Sequence, residues 1–134
     1  MSPAAFLDTN VLVYATLQPD RRSEPARALL AQRAVIRVQV LNEFANVAHR
    51  KLRRSWPEIM TALTAIRVLC PSPRPITPGT HEAALAIAAR SGYQLYDALI
   101  IASALEAGCG TLFSEDLQDG QVIGGRLTIQ DPFR

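Results

Sequence analysis

Two cysteines and two histidines are all this chain holds of the residues that build disulfide frameworks, soft-metal sites and histidine-assisted nucleophiles. Cys70 and Cys109 have no metal-ligand spacing, so they read as buried thiols of a reducing compartment and not as a disulfide pair. His49 and His81 have no partner at ligand spacing, and neither falls at a strand end. A Ser-His-Asp mechanism therefore has no support, and both histidines read as surface or capping residues. No apolar run approaches the roughly 18 residues of a membrane span, Asp8 interrupts the first apolar stretch, and Met1-Ser2-Pro3 carries no basic segment. The chain is expected to be soluble and cytoplasmic, with no membrane partner. Internal repeats and low-complexity segments are also missing. A large excess of either sign is missing too: 14 Lys+Arg against 12 Asp+Glu leave a net charge of +2, which by itself says little about partners.

What is present is enough for one well-packed domain. A chain of 134 residues forms a single domain, 1–134, that buries about two-thirds of the surface its unfolded form exposes. Near its start, Phe6-Leu7 reads as the end of a short buried strand, Thr9-Asn10 as a polar turn, and Val11 to Ala15 as the apolar start of the next element. Asp8 then sits at the carboxyl end of the first strand. In open parallel α/β sheets ligands bind just beyond those ends, so a carboxylate there can hold a metal or face a phosphate. A helix N-cap or turn acid accounts for Asp8 equally well on this stretch alone.

The middle of the chain alternates helix and strand signals. Ser23-Glu24-Pro25 opens a helix to about Gln32, and the β-branched Ala34–Val38 reads as a second strand. Gln39 begins the turn into a helix whose stripe of Leu41, Phe44, Ala45, Ala48 and Leu52 suits packing on a sheet. Glu43 lies off that stripe, within the first turns after the strand, and so near the same sheet end as Asp8. The run His49-Arg50-Lys51-Leu52-Arg53-Arg54 closes the helix, where cations complement the macrodipole. Residues ten beyond Glu43 are about 15 Å further along the helix axis, so this run is expected to lie away from the site. Trp56-Pro57-Glu58 starts another helix, Val68-Leu69-Cys70 is a possible short strand, and prolines 71, 73 and 75 make an extended connector.

Thr77-Pro78-Gly79-Thr80 caps a helix that stops at Ser91-Gly92, and residues 98–105, apolar almost all round, mark a buried helix. Gly108 and Gly110 end it before the strand Thr111-Leu112-Phe113. A helix preceding a parallel strand runs antiparallel to it, so Asp97 at the helix start and Asp116 after the strand meet at one sheet end, beside Asp8 and Glu43. A carboxylate on a buried helix is costly unless paired or metal-bound, and no Lys or Arg flanks Asp97 in sequence, although an N-cap role stays open. Val122-Ile123 and Arg126–Gln130 complete a β, α, β, α, α, possible β, α, α, β, β order. That order indicates an α/β domain with a mainly parallel sheet and helices on both faces.

Asp8, Glu43, Asp97 and Asp116 thus come from four elements onto one sheet edge. An all-oxygen set of this kind suits Mg²⁺ or Mn²⁺ and not zinc, and clustered carboxylates with such ions perform phosphoryl chemistry. Like charges about 4 Å apart repel by roughly 4 kcal/mol at an effective dielectric near 20, so at least one carboxyl pKa is expected to be raised without metal. With those four acids set aside, the other 8 acids face 14 bases, a remainder of +6 that suits a polyanion.

Phe6-Leu7-Asp8-Thr9-Asn10, the Glu43 helix, Tyr96-Asp97-Ala98-Leu99-Ile100 and Leu112-Phe113-Ser114-Glu115-Asp116 resemble, in order and spacing, the four motifs of PIN-domain toxins of the VapC type. Asp131-Pro132-Phe133 is similar to the Asn-Pro-Phe ending common among them. The resemblance spans the chain. It implies a three-layer α/β/α sandwich and a Mg²⁺-dependent endoribonuclease, with Mn²⁺ a possible substitute, acting as the toxin of a type II toxin-antitoxin pair. It further implies an RNA substrate, a cognate antitoxin and a homodimer. By position, Asp8, Glu43, Asp97 and Asp116 become the catalytic and metal-binding quartet, with Thr9 or Asn10 orienting Asp8 and Ser114 orienting the last acid. One position departs: Gln118 stands where many relatives carry a further acid, with Asp119 one residue later, and Glu115 ranks below the four. Two other functions compete. One is an RNA- or antitoxin-binding module with negligible cleavage, which would have no need of four mutually repelling acids. The other is an aspartyl-phosphate phosphatase, for which Asn10 stands where a second Asp is expected.

Overall fold

The computed structural model describes residues 4–134. Its elements are β1 (Ala5–Leu7), α1 (Thr9–Thr16), α2 (Ser23–Leu30), α3 (Val38–Arg50), α4 (Trp56–Leu69), α5 (Pro78–Ser91), α6 (Leu95–Glu106), β2 (Thr111–Phe113), β3 (Val122–Ile123) and β4 (Leu127–Gln130). The sheet order is β1-β2-β4-β3, with β1, β2 and β4 parallel and β3 antiparallel to β4. This is the α/β/α sandwich around a mainly parallel sheet that the element order implied. Strand side chains Phe6, Leu7, Leu112, Leu127 and Ile129 are fully buried, as are Phe44, Ile59, Ile66 and Ile101 from the helices. The helices form two packed groups: α1 with α2 and α3, α3 with α4, and separately α5 with α6, which also meets β2.

Local chemistry sets most boundaries. Ser55 and Glu58 make a reciprocal capping box at the start of α4, Thr77 and Thr80 make another at α5, and both helices carry proline in their first turn. Helix α5 stops at Gly92, whose φ of 76° is the left-handed conformation glycine adopts without a Cβ clash.

Three expectations need correction. The expected second strand, Ala34–Val38, makes only isolated parallel bridges, Val35 to Phe6 and Arg37 to Arg74. Its outer neighbour Arg74 is flanked by Pro73 and Pro75, which have no N–H to extend a ladder, so pairing stops at single residues. The expected strand Val68–Cys70 is instead the end of α4, with Cys70 donating to the Ile66 carbonyl. The turn expected at Thr9-Asn10 is already the first turn of α1, because Asp8 caps that helix directly after β1.

Candidate active site

The parallel register builds the site. Leu7 pairs with Phe113 and Phe113 with Gln130, so the residues after these strands, Asp8, Ser114 and Asp131, come level at one sheet end. The Asp8 amide donates to the Phe113 carbonyl at 3.1 Å, and the Ser114 amide to Gln130 at 3.0 Å. The Asp8 carboxylate is held at both oxygens: Oδ1 accepts from the Thr9 amide at 2.7 Å, and Oδ2 accepts from the Ser114 hydroxyl at 2.8 Å. Asp8 is therefore the N-cap of α1 and at the same time a carboxylate at the carboxyl end of the parallel strands, so neither sequence reading displaces the other. Burial raises its pKa first; the Thr9 and Ser114 hydrogen bonds oppose this, and the charges of Asp116 and then Glu43 add to it.

Glu43 comes from α3, whose neighbouring Phe44 is fully buried while Glu43 stays half-exposed. Its Oε2 accepts from the Thr9 hydroxyl at 2.9 Å, and its Oε1 is 3.8 Å from Nη2 of Arg37. Asp116 follows β2 and accepts from the Asn10 side chain at 3.1 Å. Desolvation raises the Asp116 pKa, followed by the charges of Glu115, Asp97 and Asp131, while Lys51 lowers it. Asp97 stands in the first turn of α6, directly after the exposed Leu95-Tyr96 pair, and the N-cap is Gln94. An N-cap role for Asp97 is thereby removed. The four expected acids are linked electrostatically in pairs, Asp116 and Glu43 acting on Asp8 and Asp97 acting on Asp116.

The orienting groups meet expectation only in part. Thr9 lends its amide to Asp8 but its hydroxyl to Glu43, Asn10 holds Asp116, and the Ser114 hydroxyl donates to Asp8 while accepting from the Asp116 amide at 3.2 Å. Glu115, whose charge acts on Asp116, is engaged by other partners: Tyr14 donates to it at 2.5 Å, Arg22 lies 3.5 Å away, and Asn10 makes a longer bond of 3.3 Å. The Arg22 guanidinium also stacks over the Tyr14 ring, and the Phe133 ring meets it edge-on. Asp119 is turned to the C-terminal segment, accepting from the Asp131 amide at 2.7 Å.

Three residues near the acids escaped sequence reasoning. Asp131 follows β4 as Asp8 follows β1, so the strand-end rule used for Asp8 would have found it. Lys51 was expected to lie away from the site, yet its charge reaches Asp116. Rise along the helix axis measures backbone separation, and a lysine's flexible four-carbon stem spans part of that gap. Arg37 precedes α3 where an N-cap Ser, Thr, Asp or Asn is favoured, and its guanidinium is buried. His49, read as an ordinary surface residue, is exposed and stacks on Trp56 at 4.2 Å.

The donor set is carboxylate and hydroxyl oxygen with no histidine or cysteine, which fits a hard divalent cation. Burial of Asp8 among acidic neighbours leaves negative charge that such a cation would neutralise. Among the described residues no three acidic, histidine or cysteine side chains stand close enough to share an ion as they are. Hydrogen bonds to Thr9 and Asn10 hold Glu43 and Asp116 in separate positions.

Comparison with known proteins gives a consistent picture. The family model described as PIN domain matches residues 5–118. Among solved structures, Mycobacterium tuberculosis VapC20, described as a sarcin-ricin loop cleaving toxin, superposes with a TM-score of 0.67 at 23% identity, covering 84% of this chain and 92% of that one. No curated protein matches.

Proposed function

The chain belongs to the PIN-domain family, and from that premise we propose that it is a divalent-metal-dependent endoribonuclease, the toxin of a type II toxin-antitoxin pair of the VapC type. The observation that supports this reading is a buried Asp8 at the carboxyl end of the parallel strands, acted on by the charges of Asp116 and Glu43, with Asp97 in turn acting on Asp116. The fold likeness to a VapC toxin supports it.

Asp8, Glu43, Asp97 and Asp116 would hold the ion, Mg²⁺ or in its place Mn²⁺. When bound, such an ion activates water and stabilises negative charge on a phosphodiester. The chain's own contribution is positional. Ser114 and the Thr9 amide fix both oxygens of Asp8, so its buried carboxylate enters the reaction already oriented. The Thr9 hydroxyl and Asn10 keep Glu43 and Asp116 directed from two sides, and Glu43, half-exposed, is open to accept a proton from the attacking water. Lys51 brings positive charge to the edge of an otherwise acidic groove, where an RNA backbone would need it. Inhibition by a cognate antitoxin at this groove, a homodimeric state and a cytoplasmic location complete the reading; no helix among the described residues is long and apolar enough to cross a membrane.

The purified chain should cut labelled RNA in millimolar Mg²⁺, leave 5′-phosphate and 3′-hydroxyl ends, and stop in EDTA. RNA that binds but stays intact in Mg²⁺ and in Mn²⁺ would turn the assignment to a binding module.

A further inference from the structure

Arg37 breaks several rules of local structure at once. It occupies the N-cap of α3 without making a side-chain cap hydrogen bond, and it brings a positive charge to the positive end of a helix dipole. Its side chain is only 3% exposed, and Nε and Nη1 have no hydrogen-bond partner among the described residues. Each feature is unfavourable by itself: a missing cap, an opposed dipole, a desolvated cation and unsatisfied donors. Violations that accumulate at one residue are expected where function demands them.

Charges around Arg37 show what opposes the penalty. Its guanidinium lies 3.8 Å from Glu43, and it also experiences the charge of Asp8. The acids thereby divide into two sides. Glu43 shares its side with Arg37 and the Thr9 hydroxyl. On the other side, Asp116 acts on Asp8 more strongly than Glu43 does, and Asp97 acts on Asp116. Among the described residues, the cation that acts on Asp116 is Lys51, which is exposed to solvent.

We propose that Arg37 is a built-in cation that occupies the Glu43 side of the site, so that a single divalent ion, on the Asp8 and Asp116 side, completes it. Arg37 is then a positioning residue: it restrains Glu43 and takes the electrostatic place that a second ion would otherwise fill. This inference rests on the nuclease reading above and deepens it by naming the metal number and its cause.

Titration of the metal-stripped full chain with Mn²⁺ in a calorimeter tests it, with Arg37→Ser and Arg37→Lys measured alongside and far-UV circular dichroism checking the fold. The parent and Arg37→Lys should each bind about one ion, whereas Arg37→Ser, which restores a capping side chain but removes the charge, should bind about two. Mn²⁺ should also raise the melting temperature of Arg37→Ser more than that of the parent. A parent that binds two ions, or a folded Arg37→Ser that still binds one, overturns the role given to Arg37 and leaves the nuclease reading standing. A parent that binds no Mn²⁺ at millimolar concentration overturns both. Should Arg37→Ser fail to fold, the parent's own stoichiometry decides.

Discussion

Asp8 concentrates the conflict between stability and chemistry in a single side chain. Its folded pKa lies above the unfolded value near 3.8, chiefly through burial, so the ionised group destabilises the metal-free protein above that unfolded value. The penalty fades as pH falls through the raised folded value toward the unfolded one. Asp8→Asn keeps the volume, and asparagine is itself a good N-cap, so in EDTA at pH 7 the variant should melt at or above the parent. That advantage should shrink as pH is lowered toward 4. Cleavage in Mg²⁺ should drop by about 10²-fold or more. Retained activity within about threefold would remove Asp8 from the site. Adjacent residues 115 and 116 offer a sharper contrast. Tyr14, whose phenol is pushed up to about 12 by burial and then by Glu115, remains a proton donor to Glu115 at any working pH. Glu115→Gln should therefore lower stability and leave cleavage within about tenfold of the parent, while Asp116→Asn should lose about 10²-fold or more of the rate. Equal losses of activity in the two variants would place Glu115 among the acting acids.

Helix α3 shows how an element delivers a charge to a site. Val40, Phe44 and Ala48 are fully buried at four-residue steps, so the helix can rotate little, and Glu43 is directed by the packing of its neighbour. Phe44→Ala should lower unfolding free energy by about 3–5 kcal/mol, and it should also reduce activity in the fraction that remains folded, because Glu43 loses its anchor. Chemical denaturation followed by a single-turnover assay below the transition separates the two effects. Full activity per folded molecule would mean that Glu43 is positioned by Thr9 and Arg37 alone. The same helix was readable from its apolar stripe, whereas its start was not. The chain enters α3 through Arg37, a residue that capping rules would not choose, and no local signal told that it would be buried beneath Glu43.

Over the whole molecule, α4 leaves Trp56, Met60, Val68 and Leu69 exposed, more large apolar surface than one small domain needs to show. With the family reading, this leads to a homodimer: sedimentation at micromolar concentration should give a dimer, and a clean monomer would withdraw that part of the proposal. The chain by itself determined the class of fold and nominated the four acids, because strand-end position and helix periodicity are local properties that follow from residue order. Asp8, Glu43, Asp97 and Asp116 needed only the rule that parallel strands share a carboxyl end. Tertiary structure decided which group serves which acid. Ser114 reaches Asp8, Thr9 divides itself between Asp8 and Glu43, and Arg22 with Tyr14 engages Glu115. Those pairings join residues up to 106 positions apart, and they depend on register and side-chain reach, which no local pattern encodes. The burial of Arg37 is of the same kind, since desolvation is set by everything packed around a charge and not by its neighbours in sequence.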